Sequence, residues 1–389
     1  MAHVPLTYNF RSLLVRRSAT FLTILGIGAV VAVISGVLAL QQGFERLFTD
    51  SGREGVAIIM RKGSTDEGSS ILGRDQAQTL VKSSTEIATD DQGRPLAAME
   101  SYLGVRRFKM DGGETNVPIR GIQPMSIVLA GDALKLVEGR AIEPGTDEVM
   151  VGSKLSGRIR DCLLDDVIVL NTTPLRVVGI FSYDGPFASE IWGDVDRIGQ
   201  ALQRPVYNRI VARVKPGVGV EEFARRVSED AQASADVMTE AEFLTKQTSV
   251  LSATLLWLGG VLALIMGIAA VFTATNTMLS AISARTHEIG ILLALGFRPL
   301  AIFNSILFEA VVLCLLGGGV GCLIALPLNG IETGTTNFNT FTEVAFAFRI
   351  TPQVLMAAVG FSLILGILGG AWPAWRAAHM EPTQAMRRR

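Results

Sequence analysis

Histidine is nearly missing from this chain: His3, His287 and His379 are the only three in 389 residues. None falls between residues 41 and 249, and that stretch has a single cysteine, Cys162. A His/Cys metal site or a histidine-based catalytic triad is therefore excluded there. The other two cysteines, Cys314 and Cys322, lie in an apolar tract, so no disulfide framework is implied. Charge is scarce as well, at 18% of residues, and it almost cancels to a net −1. Such a balance gives no reason to expect nucleic acid as a partner. No G-x-x-x-x-G-K-[ST] occurs anywhere, which argues against nucleotide binding by a P-loop.

What the chain has in abundance is apolar sequence, 49% of it, concentrated near the N-terminus and over the last third. A bilayer core of roughly 30 Å needs about 20 apolar residues in helix. Four segments qualify as spans: 20–40, 250–279, 300–328 and 350–375. The first, TFLTILGIGAVVAVISGVLAL, exceeds the roughly 7–15 residues of a signal-peptide core and runs on into QQGFERLF, so a retained anchor is expected. Around the second span no charge occurs from Gln247 to Ala284. A helix of that length would reach about 57 Å, nearly twice the hydrocarbon core, and could act as a stiff rod.

Basic residues set the orientation. Arg11, Arg16 and Arg17 precede the first span, Arg285 and Arg298 separate the second from the third, and Arg376 with Arg387, Arg388 and Arg389 follow the fourth. Both termini and the 280–299 loop are thus expected in the cytoplasm, with 41–249 and the short 329–349 loop on the far side. Segment 1–19 places Leu6, Phe10, Leu13 and Leu14 opposite Arg11 and Arg17, the pattern of a helix lying on the cytoplasmic leaflet; the tail is 376–389.

Residues 41–249 alternate two kinds of pattern. VAIIM (56–60), NVPIRGI (116–122), EVMVG (148–152), DVIVL (166–170), LRVVGIF (175–181) and RIVARV (209–214) read as strands, while 73–84 and 219–230 read as helices. An α+β domain inserted between the first two spans is expected, making a one-plus-three membrane protein. Its carboxylates look scattered, with no two that pair by spacing. Ser153 beside Lys154 reads as a turn rather than a catalytic pair, since neighbours on a strand point to opposite faces. The domain reads as a binding or mechanical module.

In the spans, Gly317 with Gly321 and Gly366 with Gly370 form G-x-x-x-G pairs, which let helices approach closely. Glu309, ten residues past Pro299, is an intramembrane carboxylate and so a functional candidate by default. Yet at 1.5 Å per residue it sits only about 10–15 Å deep, so hydrogen bonding to a neighbouring helix is the simpler expectation. The charged interruption ARTHEIGILLALG (284–296) puts Ile289, Leu292 and Leu293 on one helical face, with Arg285 and Glu288 placed to pair or to meet a partner. A short amphipathic helix there suits a groove on a soluble protein.

That stretch closely resembles the R-T-R-E-I-G-x-L-R-A-L-G element of MacB/FtsX-type ABC transporter permeases. RSLLVRRSATFLTILGIGAVVAV is similar to that family's first span, GGAWPAWRAAHMEPTQAMR to its closing motif, and EVMVGSKLSGRI…DDVIVLNTTPLRVVGIF to its periplasmic core domain. The resemblance implies a permease of the bacterial inner membrane that binds no cofactor itself, ATP and Mg being held by a separate ABC ATPase in two copies. It implies a second permease copy, identical or related, and leaves room for a periplasmic adaptor or outer-membrane factor. By position Arg285, Thr286, His287, Glu288, Ile289 and Gly290 would couple to the ATPase, and Glu309 matches a glutamate found early in the third span. His287 stands where an arginine is usual, Leu293 where a basic residue is common, and Trp375 in place of an arginine. The implied activity is export or extraction of a substrate at the outer face by mechanotransmission. The same architecture also serves relatives that control an external partner, such as a cell-wall hydrolase, without transport.

Overall fold

The computed structural model describes residues 17–49, 52–229, 235–336 and 342–381. Most of the expected surface helix over 1–19, and the tail beyond 381, lie outside these. The helices are α1 (Arg17–Thr49), α2 (Arg74–Ser83), α3 (Pro124–Ala130), α4 (Val195–Ala201), α5 (Val220–Glu229), α6 (Glu240–Ser283), α7 (Thr286–Ala294), α8 (Pro299–Ala325) and α9 (Pro352–Ala378). The strands are β1 (Val56–Arg61), β2 (Ala97–Phe108), β3 (Glu114–Ile122), β4 (Leu134–Gly139), β5 (Glu148–Gly152), β6 (Val167–Leu170), β7 (Thr173–Tyr183), β8 (Ile191–Asp194), β9 (Arg209–Arg213), β10 (Ala235–Thr239), β11 (Glu332–Thr336) and β12 (Glu343–Ala347). Two compact units emerge: residues 1–43, 254–331 and 347–389 form the first, and 44–253 with 332–346 the second.

Among the described residues, four helices are long and apolar enough to cross a membrane, Thr20–Arg46, Ser252–Ser283, Pro299–Leu328 and Pro352–Ala378, and most of their length lies in the first unit. Glycine sets how closely they approach. A Cβ on Gly317 or Gly321 of α8 would run into Ile27 or Val31 of α1, and one on Gly366 or Gly370 of α9 would meet Cys314 or Ala310 of α8. The two G-x-x-x-G pairs therefore do not face each other: the pair on α8 meets α1, and the pair on α9 meets α8 about two turns away at Ala310 and Cys314. Between α6 and its neighbours, Gly369 of α9 abuts Ala274, and Thr275 Oγ1 donates to the Gly369 carbonyl at 3.0 Å.

The second unit is an α/β domain built on one mixed sheet with the order β10-β1-β9-β2-β3-β8-β5-β7-β4, β6 pairing with β7. The twelve residues of β2 divide it: Ala97–Glu100 pair with β9 and Ser101–Phe108 with β3. On one side, β9 lies antiparallel to both β1 and β2, and β1 antiparallel to β10. With α2 and α5 as the crossovers, this is the split βαβ arrangement of ferredoxin-like domains. Its core gathers Ile59, Leu72, Leu80, Ile210 and Phe223. On the other side, β3, β8, β5, β7 and β6 enclose a second core of Ile119, Val149, Ile168, Val177 and Ile191. The central strand β1 is buried on both faces, which is why VAIIM reads as an unbroken apolar run rather than an alternating one.

Three sequence expectations shift. α1 continues past residue 40 to Thr49 and α6 starts at Glu240, so the expected borders at 41 and 249 both fall inside helices. Hydropathy sees only the apolar part of a helix. The acidic first turn of α6, with Glu240 and Glu242, is favourable at a helix N-terminus though useless to a span. The 280–299 loop shrinks to the few residues flanking α7. The 329–349 loop is a β-hairpin, β11 with β12, most of which belongs to the α/β unit.

Candidate functional site

The charged interruption of the apolar region folds as a short helix set off from its neighbours by hydrogen bonds at the end of α6 and at its own C-terminus. Where α6 stops, the Thr286 hydroxyl donates to the carbonyls of Ile282 (3.2 Å) and Ser283 (2.9 Å). α7 then runs for nine residues and ends in a Schellman motif. The Phe297 amide reaches the Leu292 carbonyl and the Gly296 amide the Leu293 carbonyl, both at 3.1 Å. Gly296 takes φ +89, a conformation that costs glycine little. Pro299 follows at the first position of α8, where its missing N–H costs nothing.

The inward side of α7 is apolar: Ile289 and Gly290 are buried, and Leu292 and Leu293 pack against a core that includes Ile282, Ile302 and Ala377. The outward side carries His287, Glu288, Ile291 and Leu295, the last 72% exposed. Arg285, just before the helix, turns inward and pairs with Glu309 of α8 at 3.3 Å, both side chains largely buried. Glu309 is thus hydrogen-bonded across helices, and Arg285 reaches it rather than standing free beside Glu288. The pair borders a small pocket lined also by Met278, Ile282, Ile289 and Ile306. Arg285, Thr286, Ile289 and Gly290 accordingly seat α7 on α6 and α8, while His287 and Glu288 face outward.

A second constellation escaped sequence reading, where the carboxylates of the α/β unit looked scattered. Glu67, Glu100 and Glu190 converge on Arg120 and Arg209, all five buried. Arg120 binds Glu190 through Nε (2.6 Å) and Nη2 (2.8 Å), pairs with Glu67 and reaches Glu100 at 3.2 Å. Arg209 binds Glu100 through Nε (2.9 Å) and Nη2 (2.7 Å). Aromatic rings enclose the guanidinium groups: Arg120 lies over Tyr102 and Phe187, Arg209 over Phe187 and Phe243. Burial works to raise the Glu100 pKa, but Arg209 and Arg120 outweigh it and hold the carboxylate below its ordinary value. Burial likewise opposes the Arg120 charge, and the surrounding glutamates hold its pKa well above normal. The network sits where β2 passes from one half of the sheet to the other. The available signal was a charge inside an otherwise apolar strand, as in PIRGI or NRIVAR. Such a charge is tolerated only when paired.

A third ion pair joins the ends of the two connecting helices inside the α/β unit. Arg53, just beyond α1, grips Glu240, the first residue of α6, through Nε (2.7 Å) and Nη2 (2.5 Å). Glu240 is 1% exposed, so this clamp is desolvated and fixes where α6 begins.

Four apolar helices and a large α/β domain between the first and second define a multi-pass membrane protein of the permease type. The sequence profile of the FtsX-like permease C-terminal domain matches residues 260–382, and that of the MacB-like periplasmic core domain residues 20–230. The chain belongs to the MacB/FtsX family of ABC transporter permeases. Among curated proteins it is 25% identical, over 97% of its length, to the macrolide export ATP-binding/permease protein MacB 2 of Aeromonas hydrophila, of which it covers 59%. To the MacB of Agrobacterium fabrum it is 25% identical over 95% of this chain and 58% of that protein. The chain thus spans less than three-fifths of the length of these relatives. The crystal structure of the periplasmic region of MacB from Actinobacillus actinomycetemcomitans aligns with 53% of this chain and 95% of its own, at 15% identity and a TM-score of 0.37.

Proposed function

We propose that this chain is the permease subunit of an ABC transporter in the bacterial inner membrane, with its termini in the cytoplasm. Two copies, or one with a related chain, assemble with two ATPase subunits that hold ATP and Mg. α7 docks in the ATPase through His287, Glu288, Ile291 and Leu295. Movement there passes through α6 to the extracytoplasmic α/β domain, which moves or extracts a substrate at the outer face. The observation that carries this reading is α7 itself. A helix of nine residues closed at its C-terminus by a Schellman motif, with an ion pair anchoring its base and a mixed polar–apolar face left exposed, is built to hold a partner in fixed orientation. The names of the MacB relatives join ATP-binding and permease functions, in keeping with a partnership with an ATPase.

Copurification tests it. Tagged chain extracted from its native membrane should bring down an ATP-hydrolysing subunit. The double substitution Ile291→Glu/Leu295→Glu should reduce that recovery at least tenfold while leaving membrane insertion intact. Undiminished recovery of the ATPase with the double variant would remove α7 from the interface.

A further inference from the structure

The hairpin that joins α8 to α9 touches the α/β unit at points that border the buried ionic network. Tyr102 Oη and Thr342 Oγ1 lie 3.0 Å apart, and the other side of that tyrosine is its ring beneath the Arg120 guanidinium, 5.2 Å from centroid to Cζ. The Ala345 amide donates to Ser189 Oγ at 3.2 Å, and Ser189 immediately precedes Glu190, the two-pronged partner of Arg120. Glu332, opening the hairpin, pairs with Lys154, whose own amide donates to the Ala188 carbonyl at 3.1 Å. Phe346 packs edge-on against Phe44 in α1, centroids 5.3 Å apart. Two of these four contacts thus end on residue 102 or on the short stretch 188–190, and a third reaches that stretch through Lys154.

Those two places hold the network in its paired arrangement. The Tyr102 amide donates to Asn208 Oδ1 at 2.7 Å, and Asn208 Nδ2 donates to the carbonyls of Glu67 (3.1 Å) and Ser70 (2.8 Å). Shifting Tyr102 therefore shifts both the ring under Arg120 and the loop that brings Glu67. Shifting 188–190 withdraws Glu190. For three carboxylates and two guanidinium groups in a dry site, each charge that loses its partner is strongly penalised. Arg209 Nη1 already lacks a hydrogen-bond partner. Withdrawing one carboxylate from such a cluster favours rearrangement of the whole over the loss of one bond, the behaviour of a two-state element.

We infer that the β11–β12 hairpin is a strap. By holding Tyr102 and Ser189 it keeps the Arg120–Glu67–Glu100–Glu190–Arg209 network locked, and displacement of the strap unlocks the junction between the two halves of the sheet. The α8–α9 pair thereby has its own line of control over the domain, separate from α6.

Hydrogen exchange on the full chain in lipid nanodiscs tests this without any ATPase. Tyr102→Phe removes one hydroxyl and keeps the ring beneath Arg120; Ser189→Ala and Glu332→Gln remove the other two polar ties. The triple variant should exchange at least tenfold faster at 342–347 and also at 117–122 and 188–193, while β1 and β10 keep wild-type protection. Acceleration confined to the hairpin, or none at all, would overturn the strap. Acceleration that includes β1 and β10 would mean general unfolding and would overturn it too, unless Tyr102→Phe alone gives the local pattern. Should the strap hold while the α7 variants leave ATPase recovery unchanged, the strap stands and the docking proposal falls.

Discussion

At the scale of residues, the most informative side chains are charges in places where charge is expensive. Glu100 lies inside β2 and Arg120 inside β3, Arg209 opens β9, and their buried network answers how the domain tolerates them. Sequence alone could flag each as anomalous but could not pair them, since Glu67 and Arg120, or Glu100 and Arg209, are far apart in the chain and meet only through sheet topology. The network carries a pH prediction through Glu100. Its folded pKa is depressed, so its ionised form contributes stability that is complete above the unfolded value of about 4.3 and is lost as pH falls through the lower folded value. Thermal unfolding of the full chain can be followed at Trp192, whose indole donates to Glu190 at 2.8 Å, with Trp257, Trp372 and Trp375 replaced by phenylalanine. Stability should drop as pH falls below about 4.3. Glu100→Gln should already be weaker at neutral pH, by on the order of 3 kcal/mol, and should show a flatter acid slope. Parallel acid curves for the two proteins would take Glu100 out of the account.

At the scale of elements, legibility followed periodicity and chemistry. The four apolar helices and the main strands were readable because burial writes itself into hydrophobic pattern. The hairpin at 332–347 was not, because two five-residue strands, the first opening ETGTT, carry no pattern a loop would lack. The helix borders were missed for the converse reason, polar turns continuing an apolar helix into water. Small-residue spacing marked Gly317, Gly321, Gly366 and Gly370, yet only the packing tells which helix each pair meets. That packing makes a graded prediction. A Cβ at Gly370 would already run into Ala310 of α8, whereas one at Gly319 meets nothing within 4 Å. Gly370→Leu should destabilise the helix unit by about 1–3 kcal/mol, as overpacking does, and Gly319→Leu by less than about 0.5 kcal/mol. Thermal midpoints in detergent decide it; equal losses for both would show that the close approach of α8 and α9 is unimportant.

At the scale of the whole molecule, the question is what could carry a signal from one unit to the other, and α6 is the obvious conductor. Its 44 residues form one unbroken helix, about 66 Å long at 1.5 Å per residue. One end is pinned to the α/β unit by the Arg53–Glu240 clamp, and the other turns directly into the capped helix α7. A rod works only while it is stiff. Ala253 is exposed and lies where the chain passes from one unit to the other, so its replacement disturbs no core. Proline there removes one backbone hydrogen bond and forces a kink, at about 3 kcal/mol of helix stability. Ala253→Ser keeps the rod straight. If the proposed coupling is right, the complex purified with its ATPase should show a change in hydrogen exchange within β2, β3 and β8 when ATP is added. The serine variant should keep that change. The proline variant should lose most of it while still hydrolysing ATP, because the motor would turn with its shaft broken. A full response from the proline variant would mean that α6 does not transmit, and would leave the strap between α8 and α9 as the remaining route.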